Sequence, residues 1–148
     1  MKKFLYLAIL LVFSFVASAC EKNKKRVHVV PDNYNGWILI LENQEIGQEA
    51  IISDNVQVIV FSEDGLSKIK GQYLPGWGSD LFLTYGGETI PCHPDVKDDA
   101  YAIRSRKGGF IEKGDAKLVY QTMFIGKLDE LNADQDGYES KLRTLISK

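Results

Sequence analysis

Cysteine and histidine are scarce, and that scarcity narrows the chemistry first. Two of each occur: Cys20, Cys92, His28 and His93. A small secreted scaffold stapled by several disulfides needs more cysteines than this, so the fold has to stand on an apolar core. A structural zinc site ordinarily takes four ligands with characteristic short spacings. His28, His93, Asp95, Asp98 and Asp99 lack those spacings, and they read as one strand residue and a solvated loop. Basic excess is missing too: 18 Lys and Arg face 20 Asp and Glu, a formal charge of -2. Nucleic-acid binding rests largely on phosphate neutralisation, so that partner is not expected. There is no internal repeat, phosphate-cradling glycine loop, dinucleotide fingerprint or nucleophile elbow. No apolar run reaches the ~20 residues of a spanning helix.

What is present begins with a leader. Lys2 and Lys3 form a basic start, Phe4 to Val16 is apolar apart from Ser14, and Ala17, Ser18 and Ala19 are small. That is the tripartite layout of a secretory signal, so residues 1–19 are expected to be removed. Ala17-Ser18-Ala19-Cys20 resembles the lipobox of bacterial lipoprotein precursors, with Ala where Leu is commoner at the first position. The resemblance implies that Cys20 is acylated on sulfur with palmitate-type chains, becomes the first residue, and is then acylated on its amine. Each buried methylene contributes about 0.8 kcal/mol and one chain holds only marginally, so several chains are what make attachment stable. Two alternatives stay open: a secreted protein in which Cys20 pairs with Cys92, and a retained amino-terminal anchor helix. Residues 20–26 form a charged tether, and residues 27–148 are expected to be a single β-rich domain with a C-terminal helix.

The domain reads as strands broken by turns. Trp37-Ile38-Leu39-Ile40-Leu41 is an unbroken apolar run whose length suits a strand buried on both faces. Val56 to Phe61 and Leu66 to Lys70 flank Asp64-Gly65, a hairpin signal. Leu81 to Tyr85 is a further strand, and Thr89 to Ala100 an exposed loop. Tyr101 to Arg104 and Gly109 to Glu112 flank a basic turn, and Lys117 to Ile125 is one long strand. Tyr138, Leu142, Leu145 and Ile146 make one apolar stripe of a closing helix. Short strands at this spacing predict a mainly β fold, an antiparallel sandwich or small barrel with a C-terminal helix.

Val29-Val30-Pro31-Asp32-Asn33-Tyr34-Asn35-Gly36-Trp37-Ile38, Glu63-Asp64-Gly65-Leu66 and Phe124-Ile125-Gly126 resemble the motifs of an uncharacterised family of small bacterial lipoprotein domains. Its pattern opens with an apolar pair, Pro-x-x-Tyr-x-Gly and a strand. The resemblance implies a β-domain and carries over no catalytic residues.

Three constellations invite chemistry. Cys92 beside His93 is a candidate nucleophile pair, but prolines at positions 91 and 94 favour an extended segment on which adjacent side chains diverge. Asn132, Asp134 and Asp136, followed by Gly137, resemble an EF-hand calcium loop. Asn132 replaces Asp at its first position, however, and Arg143 stands where a bidentate Glu belongs. The plainer reading is a turn between helices with Asp136 as N-cap. Trp77, set between Gly76 and Gly78, is the aromatic best placed to face a ligand, with Tyr34 and Trp37 as companions. No cofactor and no catalytic set is expected. The preferred reading is a lipid-anchored domain of the cell envelope, non-catalytic, held to the membrane by its anchor and binding a protein or glycan partner. The alternatives are an immunity-type inhibitor lipoprotein and a Cys/His hydrolase.

Overall fold

A computed structural model describes residues 25–49, 51–53, 56–73, 79–93, 95–114 and 116–146. The leader, Cys20, most of the tether and Trp77 lie outside the described residues. Among the described residues nine strands are followed by two helices: β1 (Lys25–Val30), β2 (Gly36–Leu41), β3 (Ile51–Ser53), β4 (Val56–Val60), β5 (Leu66–Lys68), β6 (Ser79–Thr84), β7 (Thr89–Ile90), β8 (Ala102–Lys113), β9 (Ala116–Gly126), α1 (Leu128–Ala133) and α2 (Gly137–Ile146). The first sheet has the order β3-β4-β1-β6-β7 and the second β5-β2-β9-β8.

The mainly β class, the stacked sheets and the C-terminal helical region are as expected. Both sheets stay open at their edges, so the barrel alternative falls. They are also mixed rather than wholly antiparallel: β1 pairs in parallel with β4 and β6, and β2 with β5. The cause is the path of the chain, which leaves each sheet to visit the other and returns running in the same direction. Asp64-Gly65 does turn, with the Gly65 N–H on the Ser62 carbonyl and Gly65 at φ +74°, but it is not a hairpin. Both edges of β4 are already taken by β1 and β3, so β5 pairs with β2 across the sandwich.

The expected basic turn at Ser105 to Gly108 is likewise strand. β8 runs through it with a bulge between Ile103 and Ser105. A Cβ on Gly108 would collide with the side chain of Gln121, so this glycine serves close approach rather than turning.

Two cores explain the pattern. Val30, Ile59, Phe61 and Phe82 of the first sheet's strands and turns meet Ile38, Ile40, Met123 and Ile125 of the second. Each such side chain contributes about 1.5–3 kcal/mol when fully buried. On the far side of β2, Leu39 and Leu41 pack against Leu142, with Tyr138 and Leu145 around it. Hence Trp37 to Leu41 are buried on both faces, and α2 covers the outer face of the second sheet through the stripe read from its sequence.

Candidate functional site

Tyr34, Trp37, Asp64 and Gly126 converge at one end of the second sheet. The Tyr34 hydroxyl donates to the Trp37 carbonyl (2.8 Å) and approaches that of Asp64 (3.3 Å). Lys141, reaching back from α2, places its Nζ 2.6 Å from the Tyr34 Oη and from the same two carbonyls. All three ammonium donors are therefore used. Burial pushes the Tyr34 hydroxyl up to about 12, and burial also lowers Lys141 against the opposing charges of Asp64 and Asp134. Trp37 is 2 % exposed, lies edge-on to Phe124 at 5.4 Å, and donates its indole N–H to the Asp134 carbonyl at 2.7 Å. The Trp37 ring is thus buried, and the polar groups of both Tyr34 and Trp37 are taken up within the protein.

The Asn132–Asp136 segment is the C-terminal end of α1 and the turn into α2. Its Asp134 N–H bonds the Leu131 carbonyl and its Asp134 carbonyl is taken by Trp37. Among the described residues no group of three or more His, Cys, Asp or Glu side chains could hold a metal ion. The connection before β8 is pinned rather than free: the Arg104 guanidinium donates to the carbonyls of Val96, Lys97, Asp98, Ala100 and Gly126.

A second cluster was invisible in the sequence. Between the sheets, Arg26 on β1 forks onto Asp80 of β6 (Nε to Oδ1 2.6 Å, Nη2 to Oδ2 3.0 Å). Arg106 of β8 reaches Oδ2 at 2.6 Å, and His28 Nε2 lies 3.2 Å from Oδ1. The Tyr73 hydroxyl is 3.3 Å from the same His28 nitrogen, and Arg26 lies over the Tyr73 ring at 4.8 Å. Burial pushes Asp80 up, but the hydrogen bonds from His28, Arg26 and Arg106 outweigh it and hold the carboxyl well below the usual range. Burial lowers His28, against the pull of Asp80. Its ring stacks on Phe82 at 4.3 Å, and its buried Nδ1 has no hydrogen-bond partner. The neutral tautomer with hydrogen on Nε2 fits, because it aims its one donor at Asp80 and leaves a lone pair, not an N–H, among the aromatic rings.

Arg106 links this cluster to the surface. Its side chain is 40 % exposed. It lines a groove of about 420 Å³ with Cys92, Val96, Ile103 and Leu128, and its Nη2 lies 3.9 Å from the Cys92 sulfur. Desolvation pushes the Cys92 thiol up more than Arg106 lowers it, the opposite of an activated nucleophile. His93 is turned towards Asp95, with Nδ1 3.2 Å from the Asp95 N–H and 3.3 Å from its carboxylate. No hydrogen bond joins Cys92 to His93. Among the described residues His93 is therefore not positioned as a base for the Cys92 thiol. The groove also carries Asp98 and Ser105, so a guanidinium, a carboxylate and apolar side chains share its lining.

Arg26, Tyr73, Asp80 and Arg106 were missed because no local motif joins them. The available signal was phase: Arg26 and His28 alternate with Val27 and Val29, and only the cross-strand pairing Arg26–Asp80 shows which set faces inward.

No protein-family profile matches the chain, and no curated protein matches it. Among solved structures it resembles a crystal structure described as "Putative Lipoprotein from Bacillus anthracis", with a TM-score of 0.61 and 14% sequence identity over 85% of this chain and 94% of that one. The likeness extends over nearly the whole of that chain and establishes a shared mainly β fold. Among the described residues no helix is long and apolar enough to cross a membrane.

Proposed function

We propose that this chain is a lipid-anchored β-domain of the cell envelope whose role is binding or structural support rather than catalysis. The reading is carried by one conjunction: a lipobox-like Ala17-Ser18-Ala19-Cys20 stands directly ahead of a domain with the fold of a protein described as a lipoprotein. The anchor is Cys20, with two or more acyl chains giving stable attachment. The groove beside Arg106 is the surface at which a partner with an acidic group docks. It is supported by the Arg106 guanidinium, whose Nη2 faces Cys92 in the groove rather than Asp80, and by the apolar side chains of Val96, Ile103 and Leu128, with Asp98 also on the lining. Trp77, flanked by glycines, stands as a second contact aromatic.

The test of the anchor is intact mass of the protein extracted from membranes, beside a Cys20→Ser variant. A mass matching residues 20–148 plus acyl chains, lost in the variant, supports the reading. An unmodified mass, or a variant that is still acylated, defeats it.

A further inference from the structure

The first sheet is apolar on both faces, and its inward one also holds the ions. Its face towards the second sheet carries Arg26, His28, Gln57 and Asp80, all but sealed from solvent. Its outer face carries two rows of directly paired apolar side chains, Val58–Val27–Leu81 and Val60–Val29–Leu83. The inward phase also supplies Val30, Ile59 and Phe82 to the core, so register is fixed by that set and leaves the valines and leucines outside. α2 covers the outer face of the second sheet, whereas no described element lies across this one, and Val60 and Leu81 are 43 % and 42 % exposed. A contiguous apolar surface of this kind marks an interaction site.

We propose that this face is seated on the lipid bilayer. The inference rests on the Cys20 anchor proposed above. Four residues separate Cys20 from Lys25, so the start of β1 lies within about 17 Å of the acylated residue. A domain of about 120 residues has a radius of gyration near 14 Å, so a tether of that length keeps it beside the bilayer surface. The tether leads straight into β1, the central strand of this sheet. The charges suit that contact. Lys25 projects from the same side as Val27 and Val29 at the tether end, with Lys22 and Lys24 beside it in sequence. No outward residue of β1, β4, β6 or β7 is acidic. Each base near an anionic leaflet adds about 1 kcal/mol. Tyr85, next on that side beyond β6, bonds the Phe61 carbonyl through its hydroxyl and leaves its ring half-exposed, as interfacial tyrosines do. The ladder's backbone groups are paired within the sheet, so the face offers the bilayer only side chains.

The test uses the full lipid-modified protein reconstituted into vesicles of phosphatidylethanolamine and phosphatidylglycerol. Nitroxides are placed through Val60→Cys, Leu81→Cys and, on the outward side of α2, Arg143→Cys, each with Cys92→Ser. The expected result is an oxygen-to-nickel accessibility ratio several-fold higher at 60 and 81 than at 143. Water-like readings at 60 and 81 overturn the seat. So does exclusion of both reagents with dipolar broadening between labels at 81, which assigns the face to a second copy, or without it, which assigns the face to a protein partner. Intact mass of the same preparation separates the two claims. Acylated protein with water-like readings defeats the seat alone, whereas an unacylated mass defeats the anchor and the seat with it.

Discussion

A side chain at position 65 would have to begin where the Tyr34 hydroxyl lies, and the backbone there has φ +74°, which suits glycine and few other residues. Two motifs separated by thirty residues of chain are therefore one packing unit, closed by Lys141. Gly65→Ala is expected to destabilise the domain by about 3 kcal/mol, combining backbone strain with displacement of a buried hydroxyl. Tyr34→Phe, which removes only the hydroxyl, should cost about 1 kcal/mol. Urea unfolding of the two variants checks the order; equal losses would mean that the hydroxyl, not the conformation, dominates.

Asp80 holds together a buried cluster that includes two guanidiniums. Asp80→Asn should cost about 3–5 kcal/mol, because it leaves a buried guanidinium without its counter-charge. Replacing Arg26 and Asp80 together, by Met and Leu, should be less damaging than Asp80→Asn, since the desolvated ions disappear as a pair while Arg106 can turn to solvent. Denaturation midpoints in the opposite order would show that the pair itself is a net source of stability.

What could be read from the chain depended on how local the cause was. Trp37 to Leu41 announced burial on both faces because five apolar residues in a row leave a strand no polar side. The stripe of α2 announced its docking in the same way. Asp64-Gly65 signalled a turn correctly, but pairing after a turn is settled by which sheet edge is vacant, and β4 had none. Ser105 to Gly108 suggested a turn, yet Gln121 crosses at Gly108 and needs the space. The ion cluster lay furthest out of reach. Arg26, Tyr73, Asp80 and Arg106 come from separate segments, and Arg26 alternates with Val27 so evenly that either face could have been the inner one.

His28 and Asp80 give the fold two separate acid responses. Folded His28 is lowered by burial, so below its ordinary value of 6.5 the unfolded chain takes up a proton that the folded chain refuses. Stability present above pH 6.5 is therefore lost as pH falls towards the folded value. Asp80 acts later: its folded carboxyl is held below the ordinary 3.8, so its contribution persists above that pH and is lost as pH falls further. Unfolding free energy measured from pH 7.5 to 5 should decline in the native protein and flatten in His28→Gln. An unchanged slope in that variant would remove His28 as the cause.

Cys92 should be a slow thiol. Desolvation raises it and Arg106 only partly compensates, so less thiolate is present at neutral pH than in a free cysteine. Alkylation by iodoacetamide at pH 7 is expected to run slower than for a free cysteine, and slower again in Arg106→Gln, which removes the neighbouring cation. A rate above that of the free thiol would reopen a nucleophilic role for the groove.

α2 spans ten residues, too short to be stable in water alone, so its helicity depends on docking against the outer face of β2. Leu142 is the buried centre of that contact, between Leu39 and Leu41, and it takes no part in the core between the sheets. Leu142→Ala should therefore cost about 2–4 kcal/mol, and the loss should be local before it is global. Amide exchange is expected to quicken over α2 while Ile38, Ile40 and Met123 keep their protection. Trp37 should report the same event, because its indole N–H is held by Asp134 and its ring faces Tyr138 at 5.0 Å. Its emission should shift red in the variant without loss of the β signal in circular dichroism. Uniform loss of protection across both sheets would mean instead that the helix and the sandwich form one cooperative unit.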